Sequence, residues 1–408
     1  LKVFEAFAGY GSQRMALRNV GIEFKVVGIS EIEGDVIKSY AAIHSDFLEK
    51  REYIDDYVPA DKEEMITFLE KINVPLDYKT FENKARKLKL PNLKDMYLAN
   101  KLINNYGDIQ RINPASLPEF DLFTYSFPCQ DISVAGYQQG LNKASGTRSS
   151  LLWECCKIIE TKKPKYLMME NVKNLVGCNH KKNFLKFLDY LESLGYKNSW
   201  AILNARDYGV PQNRRRAVII GKRDGEAPAL PIKTGQRVTI WDAIGDLAYL
   251  ESGEGQEEQQ YAELPASDYA KSLRGDMCVL HNHVATKHSK LALERLALIP
   301  PNCGKEVLPD EHLTKSIYSG TWSRMIKDDI SVTITTRFDT PSSGRFTHPY
   351  LNRAITVREA ARIQSFPDSF IFTGTKSSQM KQVGNAVPPR LANAIATVIK
   401  KDMEDDEL

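Results

Sequence analysis

Along the first half of the chain, short apolar runs alternate with stretches whose apolar positions recur every three or four residues, the pattern of strand followed by helix. LKVFEAF (1–7) predicts a strand, AGYGS a glycine turn, and QRMALRNV (13–20) a helix, all within twenty residues. Further strands are predicted over EFKVVGIS (23–30), DLFTYSF (121–127) and KYLMMENV (165–172), YKNSWAILNARDYG (196–209) reads as a strand and turn, and QNRRRAVIIGKR (212–223) places three arginines at the start of another strand. SSLLWECCKIIE (149–160) and KKNFLKFLDYLESLG (181–195, closed by Gly195) have helical spacing. Residues 46–106 interrupt this alternation with a charged segment that includes MITFLEKI and FENKARKLKL, read as an inserted helical excursion. From 224 to about 330 the alternation breaks down.

Chemistry gathers at the ends of these predicted strands. YSFPCQDIS (125–133) puts Cys129 behind a proline, where the chain must turn. A thiol there is either a working nucleophile or a small buried hydrophobe. The Gly/Ser/Gln/Lys-rich stretch 131–148 reads as a loop able to close over a substrate. Gly9 and Gly11 let the backbone approach a ligand in front of a helix N-terminus, although a tight turn of any doubly wound fold has the same look. Glu31, about twenty residues on, is spaced to take both hydroxyls of a ribose, with Ile32 against a base; a helix-start acid is the alternative. Asp108, beside Ile109, is an acceptor for an amino group or part of a GD turn. Glu170 ends the strand MMEN without an evident structural duty. Arg214, Arg215 and Arg216 read by default as a solvated basic edge; as consecutive residues of a strand they alternate faces, so Arg214 and Arg216 point the same way.

Composition adds limits. The 408 residues are 42% hydrophobic and 26% charged, an ordinary soluble chain with room for one large core and a smaller second domain. No apolar run is long enough for a membrane span, and no signal peptide precedes the first strand, so a cytoplasmic protein with no membrane partner is expected. Cys129, Cys155, Cys156, Cys178, Cys278 and Cys303 lack the paired spacing of a zinc site and are expected to be reduced. HNHVATKH (281–288) is not completed to a ligand set, so no metal is expected. The net charge is +3, yet the tail from Lys401 holds five acids against one base; the mildly basic remainder permits nucleic-acid binding. The chain does not begin with Met, and the numbered sequence is expected not to be the complete translated product.

FAGYGS, FPCQDIS, MENV and QNRRR, in this order, resemble the DNA (cytosine-5) methyltransferase family of bacterial or phage restriction-modification type. NRAITVREAARIQSFPDSF (352–370) looks like that family's late helix and QVGNAVPP (382–389) its final cofactor motif. The resemblance implies a Rossmann-like class I methyltransferase fold, α/β with a doubly wound mixed sheet, over 1–230, with 46–106 inserted. A smaller, irregular target-recognition domain would occupy 231–345, 346–400 would return to the catalytic domain, and 401–408 would be an acidic tail. S-adenosylmethionine, with S-adenosylhomocysteine as product, would lie among Phe7, Gly9, Gly11, Ser12, Glu31 and Ile32. Asp108, Ile109, Phe127, Pro128, Asn385 and Val387 would complete that pocket.

Cys129 would be the nucleophile, Glu170 would hold the pyrimidine N3 and amino edge, and Arg214 and Arg216 would line the catalytic pocket, Arg216 at O2. DNA would meet Gln130, Ser133, Arg148 and the pair Thr333 and Ile334, with Arg324, Arg337 and Arg345 as candidate base readers. Ala135 stands where some members carry a serine wedge. The function implied is methylation of carbon 5 of cytosine in a specific sequence of double-stranded DNA, by a monomer, with a cognate restriction endonuclease acting separately or none. An RNA methyltransferase on the same scaffold and a non-catalytic binding module are the other readings; an oxidoreductase would need a third glycine and gives PCQ no role.

Overall fold

The computed structural model describes residues 1–77, 80–128, 150–177, 181–314 and 320–406. Six strands form one mixed sheet: β1 (Lys2–Ala6), β2 (Lys25–Ser30), β3 (Leu122–Tyr125), β4 (Tyr166–Val172), β5 (Tyr196–Asn204) and β6 (Arg215–Arg223), in the order β2-β1-β3-β4-β6-β5. β1 runs parallel to β2 and β3, and β3 parallel to β4, whereas β6 is antiparallel to β4. The order reverses about β1, so the sheet is doubly wound as the alternation predicts. Alternate residues face one way: Phe4, Phe123, Tyr125, Leu167, Met169 and Ile219 pack with the helices Ser150–Lys162 and Lys181–Ser193 in one core. Leu191 and Ile159, on the inner faces of those helices, are fully buried there.

Beside β2, a second core joins the helices Gly34–His44, Lys62–Lys71 and Leu90–Leu102 through Ile37, Tyr40, Met65, Leu69 and Leu93. The segment 46–106 is therefore helical, with one departure from the sequence reading. FENKARKLKL holds only the 3₁₀ turn Ala85–Lys87, and the helix begins at Leu90, with Pro91 in its first turn where a missing N–H costs nothing. Residues 401–406 of the acidic tail belong to the helix Pro389–Asp406, and Asp402 and Asp406 are held by Lys222, Lys165 and the Tyr166 hydroxyl.

By contact the chain divides into Leu1–Leu203 with Arg215–Ile232 and Ala392–Leu408, and Asn204–Arg214 with Lys233–Leu391. This boundary groups 346–391 with the middle of the chain, and the reason lies in the helix Val357–Ile363. All seven of its residues are buried. Arg362 donates to Asp368 and Asp246, Arg358 to the carbonyls of His281 and Phe370, and the nearby Arg353 forms a two-pronged pair with Glu359 at 2.8 Å and 2.8 Å. These charges have no water to return to. Each is satisfied by a partner of the same unit, which ties the helix to Ile240–Ile244 and to the antiparallel pair β7 (Gly255–Gln260) and β8 (Val279–Val284).

Candidate active site

Parallel pairing puts the C-terminal ends of β1, β2, β3 and β4 along one edge of the sheet, and antiparallel β6 brings its beginning to the same edge. Among the described residues expected to do chemistry, Glu31, Glu170 and Arg216 lie at these ends. After β1 the backbone turns through Phe7, Gly9 and Gly11, all at positive φ (54°, 57° and 83°). The two glycines serve different ends. A Cβ on Gly11 would come within 2.4 Å of His44 Nε2, so Gly11 is required by packing, whereas a Cβ on Gly9 would meet nothing within 4 Å. Gly9 faces open space. The helix Ser12–Asn19 starts behind it with no side-chain cap, leaving backbone donors at its N-terminus.

Glu31, just past β2, is buried, and its carboxylate accepts from Gly9 N at 3.0 Å, Ile32 N at 2.8 Å and Glu33 N at 3.0 Å. Burial pushes its pKa above the ordinary carboxylate value, against the pull of these three donors. Oε1 takes two of the bonds and Oε2 one, so Oε2 keeps acceptor capacity. Asp108 is also buried. It accepts from Asn73 Nδ2 at 2.8 Å and Gln110 N at 3.0 Å, and Ile109 beside it belongs to the core. Ile32 is half-buried, Ser12 and Phe127 are buried, and Pro128 is half-buried.

At the other side of β3, Glu170 on β4 and Arg216 on β6 are diagonal neighbours, since Glu170 pairs with Val218 and Arg216 with Val172. Arg216 Nε lies 2.8 Å from Glu170 Oε1, with both side chains mostly buried. Arg216 Nη1 donates to the Arg215 carbonyl, and Nη2 makes no protein hydrogen bond among the described residues. Asn171 Nδ2 donates to Phe127 O at 2.9 Å, which fastens the exit of β3 to the residue next to Glu170. The sequence reading gave Asn171 no role; a polar residue ending an otherwise apolar strand was its only signal. Cys129, Gln130, Ser133, Ala135 and Arg148 lie outside the described residues, as does the stretch 131–148.

Several expected contacts take another form. β6 begins at Arg215, so strand alternation does not extend to Arg214. Arg214 is fully buried and donates to Ile334 O at 3.0 Å and Gly384 O at 2.7 Å, the work of an internal brace rather than of a pocket wall. Ile334 is equally buried, its N–H donated to Gln212 Oε1, and the Thr333 hydroxyl donates to Asn213 O. Arg324 is corrected most clearly. All five of its N–H groups are committed, to the carbonyls of Ile299, His348, Leu351 and Leu296 and to Asn352 Oδ1, so none remains for a base. Arg337 is exposed and pairs with Asp339, Arg345 is half-buried, Asn385 is exposed at the end of the helix Lys376–Asn385, and Val387 is buried. In HNHVATKH, His283 is fully buried between Thr356 Oγ1 and Leu247 O, and burial lowers its pKa to about 4.

A profile of the C-5 cytosine-specific DNA methylase family matches residues 60–401. The chain belongs to that family. It is 68% identical over 220 residues to the type II methyltransferase M2.ScrFI of Lactococcus lactis subsp. cremoris, covering 54% of this chain and 60% of that protein's length. It is 31% identical over 333 residues to the type II methyltransferase M.DdeI of Desulfomicrobium norvegicum, covering 74% and 78%. A solved E. coli prophage protein described as a DNA modification methyltransferase shares the fold with a TM-score of 0.64 at 19% identity, over 99% of both chains. For this C-5 cytosine-specific DNA methylase family member, the cradle at Gly9, the uncapped helix and the acceptor capacity of Glu31 fit a nucleoside cofactor that carries a carboxylate at its far end. Among the described residues no helix is long and apolar enough to cross a membrane, and no cluster of His, Cys, Asp and Glu forms a metal site.

Proposed function

We propose that the protein methylates carbon 5 of cytosine within a specific sequence of double-stranded DNA, using S-adenosylmethionine. It acts as a monomer in the bacterial cytoplasm, as the methylase of a restriction-modification system or as an orphan or phage enzyme, and any cognate endonuclease acts separately. The observation that carries this reading is the Asn171–Phe127 bond. It fastens Phe127, two residues before Cys129 in the sequence, to the strand end that bears the Glu170–Arg216 pair, which supports a nucleophile acting beside that pair.

Carbon 5 of cytosine is too weak a nucleophile to take a methyl group unaided. In this reading the Cys129 thiolate adds to carbon 6 and makes carbon 5 enamine-like. Glu170 holds the N3 and amino edge, either by hydrogen bonding or, entering the step as the protonated acid, by giving its own proton to N3 as the thiolate adds, and Arg216, with Nη2 available, offsets negative charge growing on O2. When bound, S-adenosylmethionine supplies an electrophilic methyl group. A base then removes the carbon 5 proton and the thiolate leaves. The target must leave the base stack first, at a cost on the order of a few kcal/mol. Gly9, Ser12, Glu31 and Asp108 would hold the cofactor; Arg337 and Arg345 remain the proposed base readers.

The test incubates the protein with labelled S-adenosylmethionine and either duplex DNA carrying 5-fluorocytosine or bulk transfer RNA. Fluorine blocks the final proton removal, so the enzyme should become covalently attached to the DNA at particular sequences, and Cys129→Ala should abolish attachment. Label entering RNA alone would favour the RNA reading, and label entering neither would favour a non-catalytic module.

A further inference from the structure

The segment 46–106 is the part of the chain to which the reaction gives no task. It supplies the side chains that fix the two acids of the proposed cofactor pocket. Asn105 lies beside the end of β2, where 104–106 pair with Ile29: Ile29 N donates to Asn104 O and Tyr106 N to Ile29 O, at 3.2 Å and 2.8 Å. One residue further on, β2 has no strand neighbour on that side, and the Asn105 amide replaces one. Its Oδ1 accepts from Glu31 N at 3.0 Å and Gly107 N at 3.0 Å; its Nδ2 donates to Glu31 O at 2.8 Å and Asn100 Oδ1 at 2.7 Å. All four hydrogen-bonding positions of the amide are filled, in a site where Asn105 is 5% exposed. Glu31 is thereby held at both its N–H and its C=O.

Asp108 is held from the same segment by a different route. The helix Lys62–Lys71 ends at Ile72 and Asn73, and Asn73 adopts φ 58°, a left-handed conformation that asparagine tolerates. Ile72 O accepts from Asp108 N at 2.9 Å, and Asn73 Nδ2 donates to Asp108 Oδ2 at 2.8 Å. Gly107 allows this approach, since a Cβ there would sit 1.9 Å from Ile72 O. Asn83 supports Asn73 in turn, with Nδ2 3.4 Å from Asn73 Oδ1.

We propose that Asn73 and Asn105 are positioning residues for the nucleoside half of the cofactor, Asn73 orienting Asp108 toward the base amino group and Asn105 orienting Glu31 toward the ribose. The segment 46–106 is thus a built part of the cofactor pocket. The inference rests on the pocket reading given above, and its test separates the two. Wild type, Glu31→Ala, Asn73→Ala and Asn105→Ala are titrated calorimetrically with S-adenosylhomocysteine and with S-inosylhomocysteine, in which a carbonyl replaces the amino group.

Wild type should prefer the adenosyl ligand. Asn73→Ala should weaken adenosyl binding by about tenfold and bring the ratio of the two affinities toward one, whereas Asn105→Ala should weaken both ligands by similar factors with the ratio kept. A general loss of packing would not move the ratio in one variant and spare it in the other. Asn105→Ala leaves three buried backbone groups without partners, so if it fails to fold, Asn73→Ala decides. If wild type binds neither ligand, or Glu31→Ala binds as wild type does, the pocket itself is misassigned and the inference falls with it. If Glu31→Ala weakens binding while Asn73→Ala keeps both affinity and ratio, the pocket stands and the positioning role is overturned.

Discussion

Replacing Glu359 by glutamine should cost the unit built around Val357–Ile363 about 3 kcal/mol. Glutamine keeps the shape and remains able to cap Thr356 at the helix start, where Thr356 N donates to Glu359 Oε2 at 2.8 Å, so the change isolates the charge. Burial pushes the Glu359 carboxyl up, but the Arg353 charge and its two hydrogen bonds more than reverse this, and its pKa falls from 4.5 to about 2. At about 1.4 kcal/mol per unit that difference is worth about 3 kcal/mol, within reach of the roughly 3–5 kcal/mol for stripping one partner from a buried pair. Because the folded pKa is the lower one, this stability is fully present above about pH 4.5 and is lost as pH falls toward 2.

Urea unfolding, with hydrogen exchange at Val357–Ile363 to assign the transition, measures the loss at pH 7 and repeats it in acid. Glu359→Gln should flatten the acid dependence over that window, and Arg353→Met with Glu359→Leu should recover most of the loss, because no charge is then left alone. A cost below about 1 kcal/mol, or a double variant no better than the single one, would refute the account of a pair that must be kept or removed together.

Three further substitutions test the sheet edge. Glu170→Gln should leave S-adenosylhomocysteine affinity near wild type and reduce kcat by on the order of 10²–10⁴, as for loss of a general acid; a single-turnover methylation assay showing less than a tenfold loss would remove Glu170 from proton transfer. Gly9→Ala should fold, with backbone strain of about 1–2 kcal/mol, yet bind S-adenosylhomocysteine poorly because its Cβ enters the open cradle, whereas Gly11→Ala should lower thermal stability more through its collision with His44 and Tyr40. Equal effects of the two on stability and binding would contradict the separate roles drawn for these glycines.

The period of apolar residues and the residues that end each run were enough to read the strands, the glycine turn and the positions of Glu31, Asp108, Glu170 and Arg216, because a parallel sheet brings distant strand ends to one edge whatever the loops between them do. Other features were not legible in one dimension. Arg214 and Arg324 carry the same charge as Arg216, and only three-dimensional packing turns the first two onto backbone carbonyls while the third faces Glu170. Nothing in the local pattern of VREAARIQ tells that its arginines are buried, because their partners Asp246 and His281 lie far away along the chain. The same holds for Asn73 and Asn105. An asparagine that stands in for a strand neighbour looks in sequence like any loop residue, and its four bonds exist only once helix ends and β2 have met. The sequence determined the strand order's raw material and the acids and arginines at the strand ends; tertiary structure decided which polar groups were held, since burial leaves each of them no partner but another part of the chain.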